Sequence, residues 1–173
     1  PADLTAVQVA LEDEQVGTVI VEASGASYGS IPLPEGFLAG LRKYTSEVGS
    51  VLIFDEIITG FRWAPGGLQA RDGIVPDLTT LSKILTGGLP GGAVAGRLEI
   101  MSLLDPRLKR DEFKPPVSHK GTFNGSPLVA AGAIAAMKHI SGGEPQARAD
   151  AMAKRLRSGL NGVLDRRGVP GVV

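Results

Sequence analysis

The chain has 173 residues, enough for one domain with a buried core and short for an enzyme of two domains. Hydrophobic residues make up 43% and charged residues 21%, with 18 basic and 18 acidic side chains, so no charge excess points to nucleic acid or an acidic membrane surface as partner. Cysteine is absent, which excludes a disulfide framework and thiolate metal sites and leaves the cytoplasm as the default compartment, and no run approaches the ~18 apolar residues of a membrane span.

Between residues 3 and 15, Leu4, Val7 and Leu11 recur at helical spacing and predict a helix that breaks at Gly17. Thr18–Val21 is a β-branched run suited to a buried strand, with Glu22 at its carboxyl end. Phe37, Leu38, Leu41, Tyr44 and Val48 mark one face of a helix that starts after Pro34 and stops at Gly49. Residues 51–54, VLIF, predict a second buried strand ending in Asp55 and Glu56. Strand, helix and strand at this spacing form a βαβ unit, and such units bind ligands beyond the carboxyl ends of their parallel strands. Asp55 therefore falls where ligands are found.

Residues 60–77 read as loop, rich in glycine and proline. A third strand is predicted at 78–81, delivering Lys83 just past its end, and a fourth at 92–95. A charged excursion at 105–116 leads to GTFNGSP and then to a helix over Pro127–Ile140, whose Ala, Leu and Ile content predicts burial. The last helix places Ala149, Met152, Ala153, Leu156, Leu160 and Val163 on one face and is stopped by Gly168. Residues 169–173 read as the start of another strand, an ending that suggests a fragment.

Three motifs, VLIFDEIITGFR (51–62), PDLTTLSKILTGGLPGGAVAGR (76–97) and GTFNGSPL (121–128), together resemble the class III pyridoxal-phosphate aminotransferases, with closest similarity to the glutamate-1-semialdehyde aminomutase branch. They stand in the family's order and spacing and cover most of the chain between residues 16 and 140. The resemblance implies a three-layer α/β architecture, a mainly parallel sheet between helices, as the central part of the large domain of a fold type I enzyme. Residues 1–168 would belong to that cofactor-binding domain and 169–173 would begin a small C-terminal domain. It further implies pyridoxal 5′-phosphate as cofactor, small amine and carbonyl substrates, a homodimer, and amino-group transfer of the aminotransferase or aminomutase kind. The rival reading is an inactive fragment or pseudoenzyme serving only as a dimerising module.

The resemblance makes Lys83 the lysine that forms the Schiff base with the cofactor, a role that needs fixed placement and desolvation at a strand end. By position alone it would pass as a solvated lysine. Asp55 corresponds to the carboxylate beside the pyridine nitrogen; by position alone it would cap a turn. Alternation sends Glu56 to the opposite face, so the pair is no two-carboxylate site. Thr122 resembles the threonine that reaches the phosphate of the partner subunit's cofactor, and by position it would make a local turn bond. Glycines 87, 88, 91 and 92 would let backbone approach the cofactor or simply shape turns. The segment 22–34, EASGASYGSIPLP, departs from the family pattern: Ala23 replaces the usual proline, and Ser27 stands where the aminomutase branch has an asparagine near the cofactor's phenolic oxygen. The departure argues against a strict glutamate-1-semialdehyde aminomutase, and a relative with a different amino donor or acceptor fits equally well.

His119 and His139 have no metal-ligand partner at suitable spacing and read as structural or surface residues, and Arg62, which could meet a substrate carboxylate, reads rather as a surface arginine. A phosphate-binding loop of the ATPase kind is excluded at 91–98, because Arg97 and Leu98 stand where lysine and a hydroxyl residue are required.

Overall fold

The computed structural model describes residues 2–13, 16–105, 117 and 119–173. The chain runs α1 (Leu4–Asp13), β1 (Thr18–Val21), α2 (Ala26–Gly29), α3 (Phe37–Val48), β2 (Val51–Glu56), α4 (Gly67–Asp72), β3 (Leu78–Ser82), β4 (Gly92–Gly96), α5 (Leu98–Met101), α6 (Pro127–Ile140) and α7 (Glu144–Arg167). Short 3-10 turns cover Lys83–Thr86 and Ser102–Leu104. The four strands form one sheet in the order β1-β2-β3-β4. β1, β2 and β3 are parallel, with Val21 opposite Phe54 and Asp55 opposite Thr80, while β4 returns antiparallel with Gly92 opposite Ser82. This is the α/β fold with a mainly parallel sheet that the sequence predicts.

Alternation along β2 decides which face is which. Leu52, Phe54 and Glu56 are buried on one face; Val51, Ile53 and Asp55 lie on the other. The buried face packs with Ala23, Phe37, Leu38, Leu41 and Leu68, and Leu4, Val7, Val19 and Val21 cover its margin. Each of the large side chains fully removed from water there contributes roughly 1.5–3 kcal/mol of hydrophobic stabilisation. α1 starts where the Asp3 carboxylate accepts the N–H groups of Thr5 and Ala6 at 2.9 and 3.3 Å. The opposite face is more open, and Ile20 is 61% exposed on it.

Several elements differ from their sequence expectation. The inner face of α3 is Phe37, Leu38, Leu41 and Thr45 rather than a stripe continuing through Tyr44 and Val48. The Thr45 hydroxyl donates to the Leu41 carbonyl at 2.8 Å, which allows a polar residue to be buried in the helix's last turn. The stretch at 60–77 is not all loop, because α4 forms where the buried Leu68 anchors it and the Glu56 carboxylate accepts the Leu68 N–H. α6 has no buried residue among those described, with Leu128 and Ile134 exposed, because it packs chiefly on the turn after Lys83. The expected apolar face of α7 is present, but Met152, Leu156, Leu160 and Val163 are exposed. Residues 169–173 form no strand: the Val173 N–H donates to Asn161 Oδ1 at 2.8 Å, folding the tail back on its own helix instead of along a sheet edge. Most of the excursion at 105–116 and the end of the first predicted helix lie outside the described residues. Among the described residues no helix is long and apolar enough to cross a membrane.

Asp77, 5% exposed just before β3, ties the framework together. It accepts the Leu52 N–H at 2.7 Å, Arg42 at 2.8 Å and Arg97 at 3.1 Å. Burial acts to raise its pKa, but the Leu52 N–H and the two guanidinium groups outweigh burial and hold the carboxyl below its ordinary value. A carboxylate depressed in the folded state contributes stability that is full above the unfolded pKa and is lost as pH falls through the folded one. Stability in denaturant titrations should therefore fall below about pH 4, and Asp77→Asn should flatten that acid limb. An acid limb unchanged by the substitution would remove Asp77 as its source.

Candidate active site

Because β1, β2 and β3 run parallel, their carboxyl ends open on one side of the sheet, and three of the four residues singled out from sequence lie there. Ser27 is in the connection after β1, Asp55 is the penultimate residue of β2, and Lys83 is the first residue after β3. Thr122 sits apart on the exposed turn that precedes α6, and no hydrogen bond joins it to the other three among the described residues.

Asp55 is half-buried, on the face away from the packed core. Its Oδ1 accepts the Ile57 N–H at 3.1 Å and the Thr80 hydroxyl at 3.2 Å. Its Oδ2 has no hydrogen-bond partner among the described residues, so one oxygen is held and the other is available. Glu56 points the other way, as alternation predicts. It is buried, and both of its oxygens face the Leu68 N–H at 2.9 and 3.1 Å. Burial pushes its pKa up, opposed by the N–H groups of Leu68 and Gln69 and by Arg71, and its work is to fix α4.

Lys83 is exposed and adopts φ 51°, in the left-handed region that a residue with a Cβ enters at a cost of roughly 1–2 kcal/mol. Such a conformation persists only where the surroundings dictate it. Here they do so on both sides. The Ser82 hydroxyl donates to the Gly91 carbonyl at 2.6 Å, and the Thr86 hydroxyl contacts the carbonyls of Leu89 at 2.5 Å and Lys83 at 3.1 Å. Gly87 and Gly132 then bring the turn against α6: a Cβ on Gly87 would come within 2.9 Å of the Gly132 carbonyl oxygen, and one on Gly132 within 2.9 Å of Leu89 Cδ1. Gly87 thus lets backbone lie on backbone, and Gly132 makes room for the Leu89 side chain and the Thr86 carbonyl.

Ser27 and Tyr28 also take left-handed backbone angles, φ 52° each, and the Tyr28 N–H donates to Glu22 Oε2 at 3.0 Å. Glu22, at the end of β1, thus shapes the loop that carries Ser27. A concavity of about 820 Å³ lies on the Asp55 side of the sheet, lined by Ile57, Thr80, Ser82, Val94, His119 and Asn124 among others. His119, read from sequence as structural or surface, borders this space, with Asn124 Nδ2 3.5 Å from its Nδ1. His139 is exposed on α6, and the Arg62 side chain donates to the Ile58 carbonyl at 2.8 Å. Ile57 and Thr80 went unnoticed in the sequence, although the strand register makes Thr80 the cross-strand neighbour of Asp55. Among the described residues no three His, Asp or Glu side chains are grouped to hold a metal ion.

These features describe an α/β protein in which an amine just past β3 and a half-free carboxylate on β2 lie at the carboxyl ends of neighbouring parallel strands. The family model "Aminotransferase class-III" matches residues 2–173. Glutamate-1-semialdehyde 2,1-aminomutase 2 from Brevibacillus brevis is 40% identical over 170 residues, covering 97% of this chain and 38% of the relative. Among solved structures, an omega-transaminase from Sphaerobacter thermophilus superposes with a TM-score of 0.82 at 35% identity, over 99% of this chain and 38% of that one. A glutamate-1-semialdehyde-aminomutase from Pseudomonas aeruginosa PAO1 in complex with PMP gives 0.79 at 27% identity, over 95% and 37%. The chain belongs to the class III aminotransferases, and it spans about 38% of the length of the curated relative it matches.

Proposed function

We propose that this chain is the central portion of the large domain of a pyridoxal-phosphate enzyme that transfers amino groups, as an aminotransferase or as a relative of the glutamate-1-semialdehyde aminomutases. The observation that carries the reading is the placement of Lys83, held in a left-handed conformation just past the end of β3, beside the end of β2, where Asp55 has no hydrogen-bond partner on Oδ2 among the described residues. An amine and a carboxylate so placed suit a cofactor with an aldehyde at one position and a basic ring nitrogen at another. When bound, pyridoxal phosphate supplies an electron sink for the charge that develops at the substrate Cα. Lys83 Nζ holds the cofactor and then takes the proton from the substrate Cα. Asp55 Oδ2 keeps the ring nitrogen protonated. Ser27 offers one hydroxyl where the aminomutase branch uses an amide, a thinner contact that suits either kind of amino transfer.

Borohydride reduction of the intact protein with pyridoxal phosphate tests the reading, since peptide mass spectrometry should find the pyridoxyl group on Lys83. A label on another lysine would sink the assignment.

Thr122, exposed on its turn and unconnected to the other three residues, serves the phosphate of a partner subunit's cofactor in this reading, which requires a two-fold homodimer. Mixed dimers of Lys83→Ala and Thr122→Ala subunits should then be more active than either parent, because one of their two sites carries neither lesion. The gain should be several-fold, given roughly 1.5–3 kcal/mol for a hydrogen bond to a charged group. Verified mixed dimers without any gain would place the phosphate contact within one subunit.

A further inference from the structure

The two hydrogen bonds at Asp55 converge on the same oxygen. The Ile57 N–H reaches Oδ1 from two residues along the chain, at 3.1 Å, and the Thr80 hydroxyl reaches it from the neighbouring strand, at 3.2 Å. A carboxylate held only by the backbone N–H would keep freedom to rotate about its Cβ–Cγ bond, exchanging the oxygen it presents. The second donor comes from a different direction and fixes the plane of the group. Register makes this possible, since Asp55 and Thr80 are directly opposed in the β2–β3 ladder and their side chains share a face. Thr80 also lines the concavity on that side of the sheet, as does Ile57, whose N–H is the other donor to Asp55.

We propose that Thr80 is a positioning residue for amino transfer: by holding Oδ1 together with the Ile57 N–H, it fixes Asp55 so that Oδ2 is the oxygen presented to the cofactor's ring nitrogen. The inference rests on the role given to Asp55 above. Thr80 acts in this role through the orientation of its neighbour, since its hydroxyl donates to Asp55 Oδ1. A β-branched side chain at this strand position leaves the fold indifferent to its hydroxyl, so valine is the substitution that removes the donor and keeps the shape.

The test uses the intact, cofactor-loaded protein with Thr80→Val, Thr80→Ser and Asp55→Ala. Three quantities are read: the kcat and the KM of amino transfer, and the visible circular dichroism of the bound cofactor, which reports the setting of its ring without turnover. Thr80→Val should lower kcat about tenfold with little change in KM, as expected for one lost hydrogen bond to a charged group. It should also alter the cofactor's dichroism, and Thr80→Ser should restore both. Should Thr80→Val fold poorly, Thr80→Ala supplies a second hydroxyl-free side chain for the same comparison. Parent-like kcat and dichroism in the hydroxyl-free variants would overturn the proposal, as would serine and valine being equally impaired, since the loss would then come from packing. If Asp55→Ala itself keeps the parent rate and dichroism, the reading of Asp55 fails and the role of Thr80 falls with it. Impairment in Asp55→Ala beside a normal Thr80→Val would overturn the role of Thr80 alone.

Discussion

Replacing Lys83 with alanine in the intact protein should slow amino transfer by about a thousandfold or more, because one side chain supplies both the attachment of the cofactor and the base at the substrate Cα. The fold should not follow. Lys83 is exposed, and alanine meets the same backbone cost at φ 51°, so the thermal midpoint should stay close to the parent's. Lys83→Arg should be as inactive as alanine, since a guanidinium stays protonated and cannot accept the proton. Rate and melting measurements on the two variants separate chemistry from stability. Turnover within tenfold of the parent in either would show that the amine lies elsewhere.

Asp55→Ala should cost on the order of a hundredfold in rate, or about 2.7 kcal/mol of transition-state stabilisation, the scale of one charged partner at a reacting centre. Cofactor retention should suffer less, because Lys83 and the phosphate contacts still anchor it. Alanine also strands the Ile57 N–H and the Thr80 hydroxyl, which adds a local stability loss of about 1 kcal/mol. Asp55→Asn separates the two effects, since its amide oxygen can still accept both donors while the charge is gone. Asparagine should melt like the parent and turn over like alanine. Full activity in asparagine would mean that charge at this position is irrelevant to the reaction.

Much of the architecture was legible because strong local patterns coincided with packing. The β-branched run of β1, the VLIF of β2 and the periodic apolar residues of α1 each point to one element, and the structure has it, although the sequence predicts burial for β1 and none of its residues is buried, with Ile20 on the open side. Thr45 shows where pattern fails: the periodicity of α3 pointed to Tyr44 and Val48, and a threonine that satisfies its own hydroxyl took the inner position. α4 was too short for any period to register, and its anchor, Glu56, lies in another element. The burial predicted for α6 followed from its composition, but burial depends on what lies against a helix, which composition does not contain. Asp55 and Lys83 stood out through their motifs. Thr80 did not, because its significance depends on the register between β2 and β3, a pairing of residues 25 positions apart.

The contact between Gly87 and Gly132 has a mechanical consequence. At Gly87 no side chain stands between its Cα and the Gly132 carbonyl, so at that point a displacement of α6 relative to the turn that begins at Lys83 meets backbone directly, with the Leu89 side chain packed beside it against Gly132. A packed leucine pair in the same place would act as a cushion, taking up small shifts by hopping between wells. Backbone against backbone is a stiff coupling. A shift of α6 toward the turn therefore bears directly on the segment carrying the Lys83 amine, and the turn containing Thr122 leads straight into that same helix.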